Sequence, residues 1–434
     1  MAVWIPDSRP VAHDPALEAV VRKVTWRLIP ILFVSYAFNY LDRVNVSFAK
    51  LQMGQSLGLD DAAFGLGAGM FFIGYFFFEI PSNLILERVG ARRWIVRIMV
   101  TWGLINAAMA FVQTPLQFYT MRFLIGFAEA GFFPGIVLYL TYWFPATHRG
   151  RIMALFMSSL AISGILGGPF SGAVMEWFDG LWNLVGWQWL MILTGLPCVV
   201  LAVVVWFVLT DRPEMAGWLT TEDKGRLAVA LSDSHDVAKA GSARDAFRSL
   251  HTWNCSLIYF LLICGGYGIS FWIPSILARA GVTSYAEIGL MSAIPNVAGI
   301  VAMTLIGRSS DARQERRWHL AACFALAAAG FAIVSLQLDS VAGAIAGLTV
   351  AAMGILSALP LSWTIPTRTL SKSAAAVGIA VITSLGNLGG FASPVVIGKI
   401  SVATGSMSSG FLLLSAGLAF GALWVAFTVR LPRP

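Results

Sequence analysis

The sequence predicts an all-α membrane protein of twelve transmembrane helices in two pseudo-symmetric six-helix halves. Three observations carry that prediction. Hydrophobic residues make up 58% of the 434 residues and charged residues only 12%, with a mean hydropathy of +0.76, a balance that a water-exposed surface does not sustain. Apolar runs of about 20 residues, enough to cross a hydrocarbon core about 30 Å thick, recur along the chain. One long polar stretch, residues 210–253, divides those runs six and six.

In chain order, residues 1–27 are polar, carry Arg9, Arg22, Lys23 and Arg27, and lack a cleavable leader pattern, so they are expected to stay in the cytoplasm. The first half, 28–209, places spans at 28–49, 63–85, 94–112, 117–141, 152–175 and 187–209. The linker 210–253 mixes Asp211, Arg212, Glu222, Asp223, Lys224, Asp245 and Arg248, and reads as a cytoplasmic connection with short surface helices. The second half, 254–429, places spans at 254–278, 287–306, 318–336, 342–365, 375–398 and 409–429, before a cytoplasmic tail, 430–434.

Orientation follows from the bases. Arg88, Arg92, Arg93, Arg97, Arg149, Arg151, Arg308, Arg313, Arg316, Arg317, Arg368 and Lys372 fall on the linker side, against Lys50, Arg279 and Lys399 opposite. Twelve against three puts both termini in the cytoplasm of a bacterial-type inner membrane. The net charge of +7 is therefore topological, and the lipid bilayer rather than nucleic acid is the expected partner. Cys198, Cys255, Cys264 and Cys323 lie in or beside apolar runs without CxxC spacing. They read as core residues, with no metal site or cofactor implied.

Two loops repeat. Asn83-Leu-Ile-Leu-Glu87-Arg88-Val-Gly90-Ala-Arg92-Arg93 follows the second span, and Gly307-Arg-Ser-Ser-Asp311-Ala-Arg313-Gln-Glu-Arg316-Arg317 follows the eighth, each after the second helix of its half. Such duplication is what two halves rocking about a midplane site require.

Charge inside the membrane is costly, about 2.5 to 3.5 kcal/mol at mid-bilayer on insertion scales, so buried ionisable residues are functional candidates. Of 22 acids only Asp42, Glu79 and Glu129 fall in the interior of spans, and His13, His148, His235, His251 and His319 lie in loops or at span edges. A proton carrier must then be a carboxylate. The deep bases are Arg43 and Arg122, whose guanidinium groups can hold a carboxylate through two parallel hydrogen bonds. Arg122 and Glu129, seven apart, share a helix face, while Asp42 shares one with Asn39 and adjoins Arg43, so one cluster from spans one and four is expected. Its charge is zero with both acids ionised and plus two with both protonated, which makes protonation a switch toward anion binding. The alternative is a static ion pair joining the two spans. Glu79 lies toward the cytoplasmic end of span two, either in transport or capping a gate. Tyr75, four residues earlier, either donates a hydrogen bond to substrate or packs. The second half has no acid in the interior of a span, so its candidates are neutral: Tyr267, Trp272, Asn387 and Ser393. For Asn387 an interhelical hydrogen bond, and for Trp272 interface anchoring, are the structural readings. Gly131, Pro134 and Gly135 read as a helix bend.

The repeated loops resemble the gate signature of the major facilitator superfamily, with Asn83 and Glu87 in place of the usual glycine and aspartate. Asn39-Tyr40-Leu41-Asp42-Arg43-Val44-Asn45 and the run from Arg122 through Glu129 to Gly135 are similar to the anion:cation symporter family of that superfamily. Ile80-Pro81-Ser82-Asn83, Tyr142-Trp143-Phe144-Pro145 and Asn387-Leu-Gly-Gly-Phe-Ala-Ser393-Pro394 extend the resemblance to nearly the whole chain, closest in texture to tartrate, phthalate and hydroxyphenylacetate permeases. The resemblance implies the major facilitator fold, Asp42 and Glu129 in proton coupling, Arg43 and Arg122 in substrate recognition, and a ligand-contacting role for Tyr75. Together these readings predict a monomeric symporter of a small organic anion (tartrate, a sugar acid or an aromatic carboxylate) with protons. A facilitative or exchange carrier, or a sodium-coupled symporter, is the alternative. Neither nucleotide-binding nor catalytic motifs occur, so an enzyme is not expected.

Overall fold

Helix begins well before the first apolar run. In the computed structural model, which describes residues 14–232, 249–369 and 372–429 with side chains outside 367–377, α1 spans Pro15–Val44. Asp14 caps it by accepting from the Ala16 N–H at 3.0 Å, and Pro15 occupies the first helical position. Val20, Val21 and Val24 are buried in one cluster with Leu227 of the linker. Packing, not hydropathy, makes this overhang helical. Residues 1–13, the linker residues 233–248 with Asp245 and Arg248, the tail 430–434, and the side chains of Arg368 and Lys372 lie outside the described residues.

The first span pauses at Asn45 and continues as α2 (Val46–Leu57). Lys50, expected in an outside loop, is therefore inside the bundle and only 9% exposed. Its ammonium pairs with Asp61 at 2.6 Å, which offsets the cost of burying it. The remaining first-half spans are α3 (Asp61–Val89), α4 (Ala91–Ala108), α5 (Pro115–Glu129) with α6 (Phe132–Trp143), α7 (Ala146–Trp177) and α8 (Gly186–Val208). A linker helix, α9 (Thr221–Ser232), precedes α10 (Leu250–Arg279), α11 (Tyr285–Ala312), α12 (Arg317–Leu336), α13 (Val341–Thr369), α14 (Lys372–Thr404) and α15 (Met407–Thr428). Eleven stretches of the described residues are long and apolar enough to cross a membrane. The twelfth span is α1 with α2, interrupted at Asn45 and charged at Asp42 and Arg43. The fold is all-helical, six spans before the linker and six after.

The halves meet closely at the face opposite the linker, here the far face. A Cβ at Gly65 would lie 2.2 Å from the Pro394 carbonyl oxygen, and one at Gly172 2.1 Å from that of Tyr285, so α3 against α14 and α7 against α11 touch backbone to backbone. Asp61 ties the seam. Arg279 donates to it at 2.9 Å and Ser401 at 2.6 Å, both from the second half. Glu176 accepts from Ser284 Oγ at 3.0 Å and from the Ala286 N–H at 3.1 Å, capping α11 across the same seam. Among the described residues, the hydrogen bonds joining the halves run from the bundle centre to this face.

Candidate functional site

The fourth span breaks where its acid sits. Glu129 ends α5, and Gly131 at φ +88° starts the turn into α6. L-residues rarely adopt that φ, and a Cβ there would lie 2.2 Å from Ser82 Oγ, so glycine is required on two counts. The expected bend is present. One turn before Glu129, a Cβ at Gly126 would lie 1.9 Å from the Phe71 carbonyl oxygen, so α5 presses onto α3 at this level.

That approach assembles the centre. Glu129, fully buried, forms an ion pair with Arg43 through Oε1, and Oε2 has no partner among the described residues. Arg43 Nη1 also donates to Tyr267 Oη at 3.2 Å, a direct bond across the halves. Its guanidinium stands 5.0 Å from the Phe71 ring centre and 5.4 Å from that of Tyr75. Arg122, fully buried, lies 5.2 Å from the same Phe71 ring. Among the described residues its one hydrogen bond is a long contact from Nη2 to the Arg43 carbonyl at 3.4 Å, and its Nε and Nη1 have no partner. Arg43 Nε is likewise unpartnered. The two guanidiniums and the one carboxylate in direct contact are net positive, with Glu79 near enough to act on Arg43 but not ion-paired with it, and several N–H donors are unused, whereas buried donors are almost always paired. Asn39, 1% exposed, comes near Glu129 with its own Nδ2 unpaired.

Asp42 does not join this cluster. It accepts from Trp102 Nε1 at 3.0 Å, Asn106 Nδ2 at 3.0 Å and Cys198 Sγ at 3.2 Å, between α1, α4 and α8. Consecutive residues point about 100° apart on a helix, so Asp42 and Arg43 serve different cavities. Thr194 and Asn45 extend the network, Asn106 donating to Thr194 Oγ1 at 3.0 Å and Asn45 at 2.8 Å. Sequence reasoning missed Trp102, Asn106 and Thr194, as well as Phe71 between the arginines. An Asn and a Thr within apolar runs were the visible signal.

The second-half candidates divide. Tyr267 reaches the centre and packs edge-on to Phe72 at 4.5 Å between centroids. Trp272 is buried nearer the far face, 4.0 Å from the Lys50 ammonium and 5.6 Å from Phe64. Asn387 is half-buried without a hydrogen bond among the described residues, and Ser393 is buried with Oγ unpaired near Gly268. Neither is hydrogen-bonded to the arginines.

The gate loops pair differently from the expectation. Glu87, Arg88 and Arg93 are exposed, and Asn83 donates to the Glu79 carbonyl at 3.0 Å. The acid holding the first loop is Asp211, at the end of the sixth span, which accepts from the Arg92 N–H at 2.8 Å and faces Gly90, whose φ is +97°. In the second loop Asp311 pairs with Arg316, while Arg313 donates to Ser309 at 3.1 Å. Gly307 is uncrowded.

Twelve spans in two sixes around a buried, incompletely paired charge cluster define a membrane transporter. The chain belongs to the Major Facilitator Superfamily, which residues 32–394 match. It is 45% identical over 419 residues, 95% of this chain and 92% of the relative, to an Agrobacterium vitis protein provisionally named a tartrate transporter. It is 42% identical over 405 residues, 93% of each chain, to a quinolone resistance transporter of Acinetobacter baumannii. A solved bacterial homolog of the human lysosomal transporter Spinster, described as inward-facing and unoccupied, superposes with a TM-score of 0.72 at 17% identity over 95% of each chain. That likeness concerns the fold. The family moves solutes, and the chain is not an enzyme.

Proposed function

We propose that this chain is a monomeric, proton-coupled symporter of a small organic anion in a bacterial inner membrane, with both termini and the linker in the cytoplasm. The observation that carries the reading is the buried Arg43–Glu129–Arg122 cluster, net positive and with unpaired guanidinium donors on both arginines. A carboxylate completes those hydrogen bonds as no neutral solute would. Glu129 competes with it. Protonated, Glu129 releases Arg43 to the anion; ionised, it takes Arg43 back and the anion leaves. The far-face seam is closed in this arrangement, so on this topology the structure corresponds to the cytoplasm-facing half of the cycle. The two halves, 28–209 and 254–429, rock about the centre, with the loops at Asn83–Arg93 and Gly307–Arg317 acting on the opposite side. The Agrobacterium relative's name supports a hydroxylated dicarboxylate among the cargoes.

The test is internal pH in proteoliposomes challenged with tartrate, a sugar acid, phthalate and hydroxyphenylacetate, beside Glu129→Gln. Acidification with one anion, absent in the variant, is the expected result. Uptake of label without acidification would establish the exchange or sodium-coupled carrier instead. The relative named for quinolone resistance favours export by proton antiport as a second reading, in which a proton enters as solute leaves, so that acidification appears only when solute is loaded inside.

A further inference from the structure

A cavity of about 50 Å³ lies between the first, fifth, seventh and eighth spans. It begins one helical turn beyond the Arg43–Tyr267 hydrogen bond, because Ser47 follows Arg43 on α2 and Ser270 follows Tyr267 on α10. Its polar lining is Tyr40, Asn45, Ser47, Ser163, Ser171, Ser270, Ser292 and Asn296, with no charged residue. Five of these direct a donor into helix carbonyls. Ser47 donates to Val44 at 2.7 Å, Ser163 to Ser159 at 2.9 Å, Ser270 to Gly266 at 3.0 Å, Ser292 to Ile288 at 2.7 Å, and Asn296 to Ser292 at 3.1 Å. A serine hydroxyl has one proton and two lone pairs, so these serines can offer the cavity only acceptors. Ser171, 1% exposed, has no hydrogen-bond partner among the described residues. A buried hydroxyl left unpaired costs free energy, which points to a ligand or solvent group there.

We propose that this cavity is the hydroxyl subsite of the transporter, and that it selects aliphatic hydroxy acids over aromatic carboxylates. The inference rests on the anion-transport reading above. With the carboxylate on Arg43 and Arg122, the rest of a short chain extends one turn toward the far face, where O–H groups meet the serine lone pairs. An ammonium group finds no countercharge among the lining residues. A ring does not fit, since 50 Å³ is about a third of the roughly 150 Å³ cavity known to hold benzene. Several waters, or a hydroxylated chain of a few carbons, do fit.

The experiment is competition against labelled-anion uptake in proteoliposomes, comparing tartrate with succinate and gluconate with hexanoate, pairs that differ in their hydroxyls. In the wild type each hydroxylated member should compete about tenfold more strongly or better, the effect of one or two neutral hydrogen bonds. Ser171→Ala should narrow that ratio to about threefold by weakening the hydroxy acid and leaving its deoxy partner unchanged; Ser292→Ala serves if the first variant is unstable. Equal competition within each pair, or a preference for phthalate, overturns the subsite while anion transport stands. If the wild type moves no carboxylate at all, the transport reading itself fails, and the subsite with it.

Discussion

Two neighbouring residues, Asp42 and Arg43, carry opposite charges and do opposite things. Arg43 reaches into the interface between the halves, whereas Asp42 is sealed inside the first half by three donors. An amide in place of Asp42 would set its own N–H groups against Trp102, Asn106 or Cys198. Asp42→Asn should therefore destabilise the folded protein by about 1–3 kcal/mol, read as a lower thermal midpoint in detergent. Arg122 gives a different signature. Its planar fork is unpaired on two sides, and Lys cannot reproduce it, so Arg122→Lys should weaken anion competition by about tenfold or more while preserving the thermal midpoint. None of this orientation was legible in the sequence, which shows which residues are charged but not which way a helix is turned. A charge cluster between the first and fourth spans was expected from rarity and spacing, but not that Glu129 would pair with Arg43 rather than with Arg122 on its own helix, nor that Asp42 would stand apart.

Spans were legible where lipid dictates them and illegible where protein does. The hydropathy runs located twelve spans, yet α1 starts at Pro15 because Val20, Val21 and Val24 pack on linker residues, and Lys50 is internal because Asp61 meets it. A window average sees neither contact. The same holds for Asp211, which anchors the first gate loop from 119 residues away. At Gly126 the helix contact tolerates no side chain: Gly126→Ala would drive α5 from α3 and should sharply reduce the yield of folded, monodisperse protein. The linker helix yields a pH prediction. Lys23 donates to Asp223 at 2.9 Å, and this hydrogen bond holds the Asp223 carboxyl below its ordinary range. A carboxyl whose folded value is depressed stabilises above its unfolded value, about 3.9, and that contribution is lost as pH falls through the folded value. Hydrogen exchange across α9, corrected for intrinsic rate, should thus be slow at pH 6 and rise below about pH 4, and in Asp223→Asn it should be fast throughout.

At the scale of the whole molecule the two halves are chemically unequal. The seam at the far face depends on Asp61, so Asp61→Asn should shift the population toward separation there, seen as a longer distance between spin labels on the α2–α3 and α14–α15 turns. An unchanged distance would assign closure to the glycine contacts alone. The centre shows the deeper inequality. Every charged group of the cluster belongs to the first half, and the second contributes the Tyr267 hydroxyl and neutral walls. On the proposed reading the charged groups that exchange proton and carboxylate therefore sit in one half, while the neutral walls that meet the rest of the cargo are drawn from both, Ser47, Ser163 and Ser171 from the first and Ser270, Ser292 and Asn296 from the second. Drift in the neutral pieces can change what is carried without disturbing the motor that carries it, a form of evolvability in which proteins of one lineage acquire new nutrients or drugs while running the same engine.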